Sequence, residues 1–186
     1  MCALHRNSLT SFAFLCFIVN IYGFHGDNGS VDHKKLHLSG YLKQISDEQE
    51  EKTQLVSHII SRGGGSYIDL GTGGDSVSYV LGKIPNDLPV TIIASDIDQS
   101  VLNSIPESHP EVLSFLGQDD DTKLRLKLVR MDATNMFPIK ENSIDGIGAS
   151  ALVHEVFSYV PAKSSLDQLF IELIRVMKKD GVLVYR

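Results

Sequence analysis

Between Tyr67 and Tyr185 the apolar positions follow two alternating rhythms. Short runs rich in β-branched and aliphatic residues, bounded by turn residues, read as buried strands. They fall at Tyr67–Leu70, Val90–Ser95, Leu124–Arg130, Ile144–Ala149 and Val182–Tyr185. Stretches at helical spacing separate them: Ser76–Lys83, Gln99–Ile105, and Ser164–Lys178, where Leu166, Leu169, Phe170, Leu173, Ile174 and Met177 share one face. Upstream, Ser46-Asp47-Glu48-Gln49 has capping-box spacing, and Leu55, Val56, Ile59 and Ile60 follow. That pattern predicts an amphipathic helix over Asp47–Arg62, ended by Gly63-Gly64-Gly65. Strands that alternate with helices predict an α/β fold, a mostly parallel sheet with helices on both faces. Gln118-Asp119-Asp120-Asp121 reads as a solvated loop.

The first thirty residues follow another pattern. His5 and Arg6 precede Phe12-Ala13-Phe14-Leu15-Cys16-Phe17-Ile18-Val19, and Gly26, Asp27, Asn28, Gly29 and Ser30 follow. A weakly basic start, an apolar stretch of about ten residues and a small residue at Gly23 or Gly26 read as a secretory signal peptide. The stretch is short of the roughly 20 apolar residues of a membrane span. Ile21 is bulky for a cut after Gly23, and Leu15 before Cys16 gives no lipidation site. A misassigned start or a short anchor are the alternatives. The expected organisation is a signal-like or anchor segment over 1–30, a linker over 31–45 and one domain over 46–186. A real signal implies export or membrane association, with secretion machinery or membrane as partner; a misassigned start implies a cytoplasmic protein.

Composition narrows the function classes. A chain of 186 residues holds one ordinary domain, and 42% hydrophobic with 22% charged residues is a globular balance. Lys+Arg 17 against Asp+Glu 23 gives −6, and no basic run exceeds two residues, so no phosphate-binding footprint for nucleic acid is visible. Cys2 and Cys16 are the only cysteines. The body therefore carries no disulfide framework, no thiolate metal site and no cysteine nucleophile. His33 and His37 stand at i,i+4 spacing without acidic or thiol partners, which suits a solvated linker better than a metal site.

The strand ends carry the candidate chemistry. The first strand runs into Asp69-Leu70-Gly71-Thr72-Gly73-Gly74-Asp75 before a helix begins. Glycines between strand and helix let backbone approach a ligand at the carboxyl edge of a sheet. Ser76 stands where a dinucleotide fingerprint needs its third glycine, and the Gly-Lys-Ser/Thr end of a P-loop is absent. Asp75 at the helix start repels an anion, so the loop suits a ligand without phosphates. The second strand ends in Asp96, which can accept from both hydroxyls of a ribose or cap the next helix, a role Asp98 or Gln99 can share. Past the third strand, Asp132 can accept from an adenine amine or serve a turn.

Taken in order, Tyr67-Ile68-Asp69-Leu70-Gly71-Thr72-Gly73-Gly74, Ala94-Ser95-Asp96-Ile97-Asp98 and Arg130-Met131-Asp132-Ala133 resemble the class I S-adenosylmethionine-dependent methyltransferases. Asn142-Ser143-Ile144-Asp145-Gly146-Ile147 resembles that family's fourth strand, and Glu172 to Leu183 its next helix, turn and fifth strand. The resemblance runs from about Leu55 to Arg186 and implies a Rossmann-like fold with S-adenosyl-L-methionine as cofactor. It implies that Asp69, Gly71 and Gly73 flank the methionine moiety, that Asp96 with Ile97 holds the ribose side, and that Asp132 meets the adenine amine beside Ala133. Asp75 departs from the pattern, since the family often has a third glycine there. The family's sheet ends in a β-hairpin for which Val182–Arg186 leaves no sequence, so the expectation is a chain truncated after the fifth strand, with an acceptor pocket in doubt.

Methyl transfer from a sulfonium asks a protein mainly for proximity and alignment, with a general base only where the acceptor loses a proton. Similar residues to Ser150–Tyr159 face the acceptor in many small-molecule methyltransferases. His154 is the candidate base, with Glu155 or Tyr159 beside it, and an imidazole packed at the edge of the sheet is the other reading. The Asn/Asp-Pro-Pro-Tyr sequence of amino-directed enzymes is absent, and without a body cysteine the cytosine C5 mechanism is closed. A small-molecule acceptor remains by elimination. The alternatives are a degenerate cofactor-binding module and an aminopropyltransferase; the lack of an acid-rich segment after the fourth strand argues against the last.

Overall fold

The computed structural model describes residues 51–73, 75–116, 123–150, 152, 156 and 163–185. The signal-like segment 1–30, the linker 31–45, the start of the first predicted helix, the Gln118–Asp121 loop, and His154 with Glu155 and Tyr159 lie outside the described residues. Helix α1 covers 51–62. Then come β1 (Gly65–Leu70), α2 (Asp75–Leu81), β2 (Val90–Asp96), α3 (Gln99–Ser108), a 3-10 turn at Pro110–Phe115, β3 (Leu124–Arg130), β4 (Ile144–Ala149), α4 (Lys163–Val176) and β5 (Met177–Tyr185).

The described strands form one five-stranded sheet in the order β3-β2-β1-β4-β5. All four pairings are parallel, which makes the mostly parallel sheet of the sequence reading wholly parallel among the described residues. Alternation along each strand splits the core between two faces. Tyr67, Ile92, Ala94, Leu126 and Val184 meet Leu55, Val56 and Ile59 of α1, Val77 and Val80 of α2, and Leu102 and Ile105 of α3. Ile68, Leu70, Ile93, Ile147 and Leu183 meet Leu169, Leu173 and Val176 of α4 together with Met136 and Ile139. This is the Rossmann-like arrangement, with helices on both faces.

Several boundaries move for identifiable reasons. β1 begins at Gly65, because Gly65 and Ser66 continue the ladder opposite Val90 and Thr91 without needing apolar side chains. α3 runs past Ile105 through Pro106, and its last turn closes when the His109 N–H donates to the Ile105 carbonyl at 2.8 Å. The 3-10 turn, which the sequence reading did not foresee, starts at Pro110 and buries Val112. α4 stops at Val176 and not at Lys178, because Met177 already pairs with Ile144. The register then shifts, with Gly146 opposite Val182, so the expected turn Lys179-Asp180-Gly181 is an irregularity inside β5.

The buried stripe of α4 is also narrower than predicted. Leu169, Leu173 and Val176 are buried, whereas Phe170 and Ile174 face outward. Glu172 takes the place beside the stripe. Its carboxylate accepts from the Met136 N–H at 2.7 Å and pairs with Arg175 at 2.7 Å. Arg175 in turn donates to the carbonyls of Met136 and Ile139, both at 2.9 Å. One polar pair thus ties the segment after β3 to α4.

Candidate functional site

The strand order reverses direction beside β1, and the crevice beyond the carboxyl ends of strands is where open α/β sheets place ligands. Three backbone bonds knit that edge. The N–H groups of Gly71 and Thr72 donate to the Ser95 carbonyl at 2.9 and 3.0 Å, and the Met131 N–H donates to the Asp96 carbonyl at 2.9 Å. The turns after β1, β2 and β3 are thereby held side by side.

A cleft of about 470 Å³ opens on these turns. Leu70 and Gly71 line it from β1, Asp96, Ile97 and Asp98 from β2, Met131, Asp132, Ala133 and Thr134 from β3, and Leu152 and Val156 from beyond β4. Small-molecule sites have volumes of about 300–1,000 Å³ and combine apolar walls with a few convergent polar groups. Five residues singled out in the sequence meet here: Gly71, Asp96, Ile97, Asp132 and Ala133. Gly71 has φ +69 and a Cβ there would stand 3.0 Å from Leu152 Cδ1, so the turn needs glycine both for its backbone and for its neighbour.

Asp96 and Asp132 share one design. Oδ1 of Asp96 accepts from the Asp98 N–H at 2.9 Å. Oδ1 of Asp132 accepts from the N–H and the hydroxyl of Thr134 at 2.8 and 2.7 Å. Among the described residues no donor reaches the second oxygen of either carboxylate. The cap of α3 falls to Asp98, whose Oδ1 accepts from the Ser100 N–H and hydroxyl, both at 2.8 Å. Those bonds hold its carboxyl below the usual range. Next to Asp96 on the same cleft, Ile97 is 63% exposed, an apolar shelf whose carbonyl accepts from Arg130 Nε at 3.1 Å.

Two expected residues do not line the cleft. Asp69 is 4% exposed and lies beneath the glycine turn, with Oδ2 accepting from the Thr72 hydroxyl at 2.7 Å and Oδ1 from the Ser76 hydroxyl at 3.0 Å. Burial pushes its carboxyl up to about 6, against the pull of the two hydroxyls and of Lys52. Gly73, at φ +55, is exposed on the outside of the turn. Leu152 and Val156 belong to the Ser150–Tyr159 stretch that the resemblance set against the acceptor, whereas the sequence reading gave Arg130 no role and missed Thr72 and Ser76 as partners of Asp69. The only signal for the last two was their position, three and seven residues after an acid at a strand end.

Comparisons with known proteins place this geometry. The family model described as a methyltransferase domain matches residues 68–185. No curated protein matches the chain at a significant level. Among solved structures, the YcgJ protein of Bacillus subtilis superposes with a TM-score of 0.52 at 15% identity, covering 73% of this chain and 50% of that one. PH0226 of Pyrococcus horikoshii OT3 gives 0.51 at 17% identity, covering 78% and 58%. The CurJ carbon methyltransferase gives 0.50 at 17%, covering 66% and 28%. These likenesses establish the fold, and the chain spans between 28% and 58% of the length of the three structures.

Proposed function

This chain belongs to the methyltransferase-domain family, and from that premise we propose that it binds S-adenosyl-L-methionine in the cleft at the β1–β2–β3 ends and transfers methyl to a small-molecule acceptor. The observation that carries the reading is the pair Asp96 and Asp132, on one cleft, each with one carboxylate oxygen committed to its own turn and the other without a donor among the described residues. A nucleoside offers two donor groups, the ribose hydroxyls and the adenine amine, and an apolar ring between them. Asp96 meets the hydroxyls, Asp132 meets the amine beside Ala133, and Ile97 with Met131 flanks the ring. Gly71 lets backbone approach the methionine end, with Gly73 shaping the same turn. Leu70, Leu152 and Val156 supply apolar wall to the same cleft.

When bound, the cofactor supplies a methyl group already activated on a sulfonium. The protein then contributes alignment of donor and acceptor, an effect worth up to about 7–11 kcal/mol in favourable intramolecular cases. His154 is the base proposed for acceptors that must lose a proton, and it acts only in that case. The acidic balance of the chain and the absence of a basic run support a small acceptor over nucleic acid.

Calorimetric titration of the full chain with S-adenosylmethionine and S-adenosylhomocysteine tests the reading. Binding of both, with Kd on the order of micromolar (about −8 kcal/mol), is expected. Binding of neither would remove it. Methyl transfer from labelled cofactor to a panel of metabolites then separates an enzyme from a binding module. His154→Ala is expected to leave cofactor affinity unchanged and to lower turnover about 10²–10⁴-fold where the acceptor is deprotonated; equal turnover would return His154 to a packing role.

A further inference from the structure

We infer that Asp69 is a positioning residue: it holds the glycine turn in its ligand-receiving shape through the hydroxyls of Thr72 and Ser76, and does not itself touch the ligand. The inference rests on the reading of the cleft as an S-adenosyl-L-methionine site.

Asp69, Thr72 and Ser76 are all buried, at 4%, 3% and 7% exposure, and the carboxylate has one hydroxyl on each oxygen. Thr72 sits inside the turn and Ser76 in the first turn of α2. One side chain therefore spans the connection from β1 to α2. A third tie comes from β2, where the Ser95 hydroxyl donates to the Asp69 carbonyl at 3.4 Å while the Ser95 carbonyl receives the Gly71 and Thr72 N–H groups. Between these anchors the chain takes positive φ at Gly71 and Gly73. Glycine enters that region freely and leaves it as freely, so the sequence at the turn is permissive and the clamp is what selects one shape.

The chemistry of the clamp depends on charge. A carboxylate only accepts, so both hydroxyls can donate to it at once. A protonated carboxyl, or an amide, presents one acceptor and one donor, so one hydroxyl must reverse its bond and accept, and the two charge-assisted bonds give way to weaker neutral ones. Among the described residues the groups facing Asp69 are Thr72 of its own turn, Ser76 from α2, Ser95 from β2, the Gly148 backbone from β4, and Lys52 of α1 as the charge that favours its ionised form. With its carboxyl raised to about 6, the clamp changes state at mildly acidic pH.

The test uses the full chain in two measurements across pH 5–8: amide NMR of the ligand-free protein and calorimetric titration with S-adenosylhomocysteine. The Gly71, Thr72 and Gly73 amide shifts are expected to titrate with a midpoint near 6, and affinity to fall about threefold to tenfold below it, the equivalent of one hydrogen bond. Asp69→Asn should abolish the titration and show the weakened affinity at every pH. Thr72→Val and Ser76→Ala should each weaken binding similarly, and Thr72→Ser should restore it. Loss of affinity in Asp69→Asn with none in Thr72→Val or Ser76→Ala would mean direct ligand contact and would overturn the inference, as would a wild-type affinity and pH profile in Asp69→Asn. Should Asp69→Asn fail to fold, Thr72→Val against Thr72→Ser decides, since both keep the carboxyl. A wild-type chain that binds no S-adenosylhomocysteine at any pH would defeat the cofactor reading alone. The ligand-free titration would still decide the clamp, its presence in wild type supporting it and its absence overturning it.

Discussion

Asp96 and Asp132 each divide their carboxylate between the protein and the cleft, and the division sets what their removal costs. Asp96 gives its own chain one bond, to the Asp98 N–H, while the α3 cap belongs to Asp98. Asp96→Ala is therefore expected to weaken S-adenosylhomocysteine binding by about 1–3 kcal/mol by calorimetry, with little change in the urea midpoint. Asp132 holds a turn through both the N–H and the hydroxyl of Thr134. Asp132→Ala should lower affinity and stability together, a double effect that the same two measurements separate from that of Asp96. That both acids reach the same cleft was legible in the sequence, because an acid at or just past a strand end stands on the carboxyl edge of such a sheet. The burial of Asp69 was not legible. An acid at a strand end reads the same whether it faces solvent or two hydroxyls, and only the return of Thr72 and Ser76 over it decides.

The elements that carry the site were read well where periodicity was strong and poorly where side-chain chemistry outvoted it. β3 and β4 have the predicted limits. α4 has its polar Glu172 buried and its apolar Ile174 53% exposed, because the pair Glu172–Arg175 anchors the Met136–Ile139 backbone. Arg175 holds the Glu172 carboxyl below its usual range by direct hydrogen bonding. Arg175→Met should then lower unfolding free energy by about 1–3 kcal/mol in urea titration, since it strands a buried acceptor group. At the centre of the sheet, a Cβ on Gly146 would stand 2.8 Å from Val182 Cγ1 and 3.0 Å from the Tyr67 ring. Gly146→Ala is expected to cost about 1–3 kcal/mol by the same measurement, because neither β4 nor its neighbours can yield without moving a paired strand.

Across the whole molecule, two groups pull stability in opposite directions with pH. His58 of α1 lies edge-on to Tyr67 with ring centres 6.1 Å apart, and burial followed by the Arg62 charge lowers its pKa below 6.5, with Asp145 opposing. A depressed folded value means its contribution is present above the unfolded value of 6.5 and is lost as pH falls through the lower folded one. Asp69 has the reverse sign. Its folded value of about 6 lies above 3.8, so its contribution is full below 3.8 and is lost as pH rises through about 6. His58→Phe should flatten the loss of urea stability between pH 7 and 5, and an unchanged profile would show that His58 is not its source.

The reversal of strand order beside β1 has a further consequence. β1 joins β2 across a short excursion but meets β4 only after β2 and β3 have been traversed, and Tyr67 pairs there with Gly146. Contacts so distant along the chain are slow to form. The rim that bears Gly71, Asp96 and Asp132 needs only the earlier strands, whereas Leu152 and Val156 arrive with the later half. During folding the pocket would thus gain its acidic floor before the last of its greasy wall closes over it.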